Sequence, residues 1–304
     1  MIRAALATVL LAGVLPAADY QDRFLTVNGI RLHYLDWGGE GKQPFVMLHG
    51  ISRVAHQFDH LAPFFRDKYR VLAIDMRGHG DSGWSPEGAY LVEDYVKDLE
   101  AFVDQLQLRN LVLLGNSTGG RVVQVYAGLH PDRVSRLISE DVGPERPSDI
   151  AASFARQVAQ EANGWASEAE LLAVLRKSNA KTPEPILASY AHYASKVRED
   201  GRVVWKRDPN LAKGFVVTEL WRYVRDIRCP VIYVLGGASR IVPPATQDVI
   251  VLADGDAPGE AAALAAAARW RHEGRRVRIA RPPRGADFND VLLDRSTSSG
   301  EQTR

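Results

Sequence analysis

The chain has 304 residues, 46% of them hydrophobic and 25% charged, with 38 Lys and Arg against 37 Asp and Glu. This is ordinary globular composition, and a net charge of +1 supplies no overall attraction to nucleic acid or to an anionic membrane surface. A single cysteine, Cys229, excludes an internal disulfide and reads as a small packed residue instead of a nucleophile.

Residues 1–19 carry one early positive charge, Arg3, and then an apolar run too short to span a bilayer. That pattern fits a signal peptide, with a short leader helix or an upstream extension as the alternative. A cytoplasmic location is expected, with export through this segment as the alternative. From residue 20 the periodicity becomes informative. "RFLTVNGIRLHYLDWG" (23–38) alternates around Asn28-Gly29 and predicts a β-hairpin. "FVMLHG" (45–50) and the apolar start of "YRVLAIDMRGHGDS" (69–82) read as buried parallel strands. In 91–108, Val92, Tyr95, Val96, Leu99, Phe102, Val103 and Leu106 recur at helical spacing. "NLVLLGNSTGG" (110–120) is a strand running into glycines, followed by a helix, and 134–143 holds a further strand. Strands alternating with helices predict a mostly parallel sheet over 20–143.

The alternation stops at residues 144–226, which predict a mostly helical insertion rich in aromatics. At that length it reads as a helical lid over the carboxyl edge of the sheet, its aromatics mostly packing its own small core. The sheet resumes in 227–247 with "PVIYVLGG" (230–237), and the tail 294–304 reads as disordered.

"GNSTG" (115–119) matches G-x-S-x-G directly after a strand and at the start of a helix, the setting of a nucleophile elbow. Ser117 is the candidate nucleophile, ahead of a simple helix cap. Together with "LHGISR" (48–53), "AIDMRGHGDS" (73–82) and "HPDRVSRLISEDVGP" (130–144), residues 20–247 resemble the α/β-hydrolase family with an inserted helical lid. The resemblance implies a serine hydrolase acting on a small apolar or aromatic ester, lactone or related carbonyl compound, without a cofactor. It implies an oxyanion hole from the backbone N–H groups of Ile51 and Thr118. A serine at this position argues against the dehalogenase and epoxide-hydrolase relatives, whose nucleophile is an aspartate. The triad acid in this fold follows the serine at the end of a later strand, which points to Asp141, with a helix cap or ion pair as its alternative. His49 reads as structural, and Arg77, His79 and Asp81 as a hydrogen-bonded turn.

A triad histidine is expected after the last strand, and none stands there: His192 falls in an insert helix and His272 near the end of a predicted helix. Instead, residues 249–293 resemble the back half of a Toprim domain of primase type, carried by "DGDAPG" after a strand, an alanine-rich helix, "RVRIARPP" and "DFND". In such domains the pair corresponding to Asp254 and Asp256 helps bind Mg²⁺. A solvated helix N-terminus is the alternative here, because the glutamate-bearing first strand of that domain has no room upstream. "VIVLA" (249–253) is expected to join the hydrolase sheet as its last strand, with 258–273 covering it. Three readings follow: a small-molecule serine hydrolase, a catalytically impaired fusion lacking the base, and, ranked below both, a nucleic-acid enzyme fragment. No nucleic-acid partner is expected despite the arginine-dense 269–284 stretch, and no membrane partner; the oligomeric state is left open.

Overall fold

The structure is a computed structural model that describes residues 20–146, 148–216, 218–234, 249–252 and 277–280. β1 (Gln21–Val27) and β2 (Ile30–Asp36) form the expected antiparallel hairpin. Its turn residues Asn28 and Gly29 have φ of 48° and 76°, the left-handed pair that a two-residue hairpin of this hand requires.

Four strands follow in register: β3 (Gln43–Leu48), β4 (Tyr69–Ile74), β5 (Leu111–Asn116) and β6 (Val134–Glu140). Two helices are interleaved with them, α1 (Val92–Gln105) and α2 (Thr118–Leu129). β3, β4 and β5 are buried on both faces, which explains their largely apolar sequences, while β6 is only part-buried and carries Ser135, Arg136, Ser139 and Glu140. Val46, Leu48, Leu72, Ile74, Leu111 and Leu113 enter one core cluster, shared with α1 and α2. Their chain neighbours Phe45, Met47, Val71, Ala73, Val112 and Leu114 enter the other. The α1 positions picked out by helical spacing all pack in the first cluster, Val92 and Leu106 at its margin.

The insert between β6 and the next sheet strand contains α3 (Ser148–Gln160), α4 (Glu168–Ser178) and α5 (Glu184–Ala194). After them come the antiparallel pair β7 (Ser195–Val197) and β8 (Val203–Trp205), then the single turns α6 (Leu211–Gly214) and α7 (Trp221–Val224). The β7–β8 hairpin departs from the helical expectation. Its signal was present: Asp200-Gly201 with φ of 81° at Gly201, followed by β-branched residues. Trp165, Leu171, Leu187, Ala191 and Trp205 form a separate core within the insert, as expected of its aromatics.

The sheet closes with β9 (Val231–Val234), giving the order β1-β2-β4-β3-β5-β6-β9, parallel from β4 onward. One expectation is corrected. β10 (Val249–Leu252) does not extend this sheet but pairs in parallel with β11 (Val277–Ala280). This strand therefore pairs with a later strand of its own segment and not with β9; the helix expected over 258–273 lies outside the described residues.

Below the sheet's carboxyl end, Asp75 anchors a buried polar knot. It accepts hydrogen bonds from His33 Nδ1 at 2.7 Å, from the Ala55 amide at 2.6 Å and from the Asp81 amide at 2.9 Å. Burial alone would lower the His33 pKa, but the hydrogen bond and charge of Asp75 reverse this and raise it. Burial likewise works against the Asp75 carboxylate, and His33 outweighs it, so the Asp75 pKa is lowered. The raised histidine stabilises the fold below its unfolded value of about 6.5 and loses that contribution as pH rises through its folded pKa. The lowered aspartate stabilises above its unfolded value of about 3.9 and loses its contribution as pH falls through its folded pKa. The difference in melting temperature between wild type and His33→Gln is therefore expected to be largest between about pH 4 and 6.5 and to shrink on either side. Thermal denaturation across that range checks it; a difference that does not vary with pH contradicts it.

Candidate active site

β5 ends at Asn116 and α2 begins at Thr118, so the chain turns from strand to helix on one residue, Ser117. Its φ of 49° and ψ of −110° lie in a sparsely populated region, costing on the order of 1–3 kcal/mol. The flanking glycines make this turn feasible. A Cβ at Gly115 would lie 2.3 Å from Gly119 O, and one at Gly119 would lie 2.3 Å from Leu48 O. The Gly119 amide also donates to His49 O at 3.1 Å, pinning the elbow against the end of β3.

Asp141 follows β6 directly. The β5–β6 register sets Asn116 opposite Glu140, and the Ser117 amide donates to Glu140 O at 2.8 Å. Ser117 and Asp141 therefore leave adjacent parallel strands side by side. Asp141 has a φ of 48°, and its amide donates to Val234 O at 2.7 Å. Its Oδ1 is buried and has no hydrogen-bond partner among the described residues. An acceptor left in that state costs roughly 1–3 kcal/mol, which a donor arriving from another segment would recover. Glu140 is half-buried, and desolvation raises its pKa, with the Asp141 charge adding to the effect and Asn116 opposing it.

The amides of Ile51 and Thr118 are engaged by no acceptor among the described residues. Ile51 and Ser117 line one cavity of about 180 Å³, and Ile51 and Thr118 line a smaller one beside it. The loop carrying Ile51 is clamped by the insert. Tyr190 Oη donates to Ser52 O at 2.7 Å, and Arg207 donates to Ser52 Oγ while pairing with Glu161 at 2.5 Å. Removing the Tyr190 hydroxyl should loosen this loop without emptying the cavity. In an ester assay Tyr190→Phe is expected to lower kcat by about tenfold at most, short of the hundredfold or more that follows losing an oxyanion donor, with KM little changed. An unchanged kcat would remove the clamp from the mechanism.

None of the seven described histidines hydrogen bonds to Ser117 or Asp141. His49 is structural, as expected. Its Nδ1 donates to Gly50 O at 2.7 Å, its Nε2 accepts from the Met76 amide at 3.0 Å, and burial lowers its pKa. His79 is also buried; burial, with His49 nearby adding to it, lowers its pKa to about 3. Arg77 pairs bidentately with Asp98 at 2.5 Å, and Asp81 pairs with Lys206 at 2.9 Å, so this turn is the hydrogen-bonded network the sequence implies. His192 is exposed on α5, 3.8 Å from Glu168. His272, Asp254 and Asp256 lie outside the described residues. The cluster His33, Asp75 and Asp81 brings three metal-ligating types together, but internal hydrogen bonds and the Lys206 pair already engage its atoms. Cys229 is half-buried, and burial raises its thiol pKa, consistent with a packing role.

Two arginines in this site were not singled out by sequence. Arg121, on the first turns of α2, is 1% exposed and donates to Thr218 O at 2.7 Å, Thr218 Oγ1 at 2.6 Å and Gly143 O at 3.3 Å. Arg146 sits 3.7 Å above the Phe215 ring and donates through Nη1 to Val216 O at 2.9 Å. Both line the cavity that holds Ser117. Burial lowers Arg121 to about 10 and Arg146 to about 9, with Arg121 adding to the shift at Arg146; both stay cationic at neutral pH. No pattern marks them, because an arginine at such positions is ordinarily a surface residue.

No described helix is long and apolar enough to cross a membrane. Comparison with known proteins accords with this geometry. A "Serine hydrolase-like protein" from Danio rerio is 31% identical over 119 residues, 39% of this chain and 36% of that protein. A "3-hydroxybutyrate-oligomer hydrolase" from Cupriavidus necator is 28% identical over 230 residues, 70% of this chain and 78% of that protein. The chain spans only about a third of the length of most of the first curated relatives it matches. Among solved structures, an "E-2-(Acetamidomethylene)succinate Hydrolase" superimposes with a TM-score of 0.68 at 23% identity, covering 91% of this chain and 97% of that one, a likeness of fold. The Toprim-domain family matches residues 231–298, which agrees with the C-terminal resemblance. The alpha/beta hydrolase fold family matches residues 43–250, more than half of the chain, and the chain belongs to that family.

Proposed function

We propose that this protein is a serine hydrolase of small ester, lactone or related carbonyl compounds, with Ser117 as nucleophile. One observation carries the reading: Ser117 sits alone on a strained strand-to-helix turn, facing a cavity and flanked by two unengaged amides, with Asp141 on the adjacent strand end. Such a turn is retained against its conformational cost where it presents a side chain for chemistry. The Ser117 oxygen attacks the carbonyl carbon, and the carbonyl π pair moves to oxygen, where the Ile51 and Thr118 N–H groups stabilise it. The tetrahedral intermediate collapses, the bond to the leaving alcohol breaks, and the alcohol departs with the proton that serine lost. Water then repeats the cycle on the acyl-serine and releases the acid. Asp141 would orient and stabilise a base that carries these protons. In this family's chain order that base is a histidine after β9; the sequence offers only His272 beyond that strand, outside the described residues, so the proton acceptor is the part of the machinery this reading leaves to experiment.

A second reading, a hydrolase body that binds ligands but turns them over slowly, is favoured by the unpartnered Asp141 Oδ1 and by the histidines' engagement elsewhere. Hydrolysis of p-nitrophenyl butyrate by wild type and Ser117→Ala separates the two. Turnover lost on substitution supports the first; a wild-type rate already equal to that of the variant supports the second.

A further inference from the structure

The cavity at Ser117 contains more positive charge than its chemistry requires. A carbonyl oxyanion is served by two backbone amides, yet two guanidiniums, Arg121 and Arg146, also line the wall. Neither has a carboxylate within 4.0 Å among the described residues. Other buried arginines among the described residues are matched: Arg77 with Asp98 and Arg207 with Glu161. Burying a cation without a carboxylate partner, as at Arg121, is costly; Arg146 beside it is half-buried. Glu145, the carboxylate on the same wall, is exposed and accepts from Trp221 Nε1 at 2.8 Å.

The two arginines differ in what remains free. Arg121 directs its donors at Gly143, Pro144 and Thr218, tying both ends of the insert to α2. Its hydrogen bonds are to neutral acceptors, and the negative charge acting on it is that of the more distant Glu93. Arg146 uses Nη1 on Val216 O, while its Nε and Nη2 have no partner among the described residues. Stacking on Phe215 fixes the plane of that guanidinium, leaving an Nε–Nη2 edge, the fork that matches a carboxylate with two parallel hydrogen bonds.

We propose that the substrate of this site is an anion: an ester or lactone that also bears a free carboxylate, bound by the Arg146 fork, with Arg121 supplying the supporting positive field. The proposal rests on the hydrolase reading for the word substrate, but the anion site itself does not depend on turnover. It sharpens the expected substrate from a purely apolar carbonyl compound to one with an apolar or short linker between the reacting carbonyl and a carboxylate.

The test separates binding from catalysis. Calorimetric titration of Ser117→Ala with monomethyl glutarate and with dimethyl glutarate compares an anion with its neutral ester under conditions without hydrolysis. Binding of the monoanion about tenfold or more tighter than the diester is expected, since charge-assisted hydrogen bonds are roughly twice as strong as neutral ones. Adding Arg146→Gln should remove that preference, and Arg146→Lys should restore part of it by keeping the charge without the fork. Equal binding of the two probes by Ser117→Ala overturns the proposal, whether or not the Arg146 variants fold. So does a preference that Arg146→Gln leaves intact. Turnover is read separately on wild type, with mono(p-nitrophenyl) glutarate, which keeps a free carboxylate, against p-nitrophenyl butyrate. Anion binding without hydrolysis of either ester would keep the anion site and refute the hydrolase reading; hydrolysis without anion preference would do the reverse.

Discussion

Ser117→Ala is expected to abolish ester turnover while leaving the fold intact. Alanine meets the same backbone demand as serine at φ 49° and ψ −110°, so the strain is unchanged. The Ser117 side chain accepts no hydrogen bond from α2, so its removal uncaps nothing. The melting temperature should therefore move by no more than about 1–2 °C, as for a substitution outside the structural list of large effects. Activity should fall much further: in a serine hydrolase with a complete triad, removing the nucleophile costs on the order of 10⁶ in kcat. Ser117→Gly should lose activity equally but gain about 1 kcal/mol in stability, because glycine adopts positive φ without a Cβ penalty. That opposite pair of outcomes, lost activity with raised stability, is the signature of a turn strained for chemistry. If Ser117→Gly is destabilising, the elbow is a structural turn and the case for Ser117 as nucleophile falls. Steady-state kinetics and thermal denaturation of the three proteins decide the matter.

The core of the site was legible because its determinants are local. Ser117 is readable from G-x-S-x-G after an apolar strand, and the hairpin from Asn28-Gly29, since both need a particular φ and only certain residues permit it. Asp141 was found by a rule of chain order, and the register between β5 and β6 then places it beside Ser117. What was not legible depends on distant partners. Arg121 and Arg146 look like ordinary arginines until the insert folds back: Thr218 and Phe215, the residues that fix them, lie 97 and 69 positions further along the chain. The β7–β8 hairpin was missed because each strand is three residues long, too short for alternation to show. The pairing of β10 is not legible in the sequence for a related reason. An apolar four-residue strand fits any parallel neighbour, and nothing within "VIVL" says that β11 is preferred to β9.

Gly119→Ala tests whether the elbow is held by close packing as well as by backbone strain. Gly119 does not need positive φ, so the argument is about space alone. A Cβ there would lie 2.3 Å from Leu48 O and 2.6 Å from His49 O, both backbone atoms at the end of β3. Those atoms cannot rotate away: Leu48 pairs with Ile74 on one side and Gly115 on the other. The start of α2 must therefore shift outward, stretching the Gly119 amide from His49 O. Overpacking of this kind costs about 3 kcal/mol or somewhat more, which for a protein of this size lowers the melting temperature by about 6–12 °C. Gly29→Ala provides the contrast. Its Cβ would meet nothing within 4 Å, and only its φ of 76° resists substitution, a penalty of about 1–2 kcal/mol. The two variants should also separate in activity. Gly29 lies on the hairpin at the far edge of the sheet, so its substitution should leave kcat/KM within about twofold, as for surface changes away from a site. Gly119→Ala moves Ser117 relative to the Ile51 amide, and a displacement of about 1 Å costs on the order of a hundredfold in rate. A Gly119→Ala protein that melts like wild type, or one that keeps full activity, would mean that α2 can slide without disturbing the elbow. The oxyanion donors would then have to be sought elsewhere than at Ile51 and Thr118.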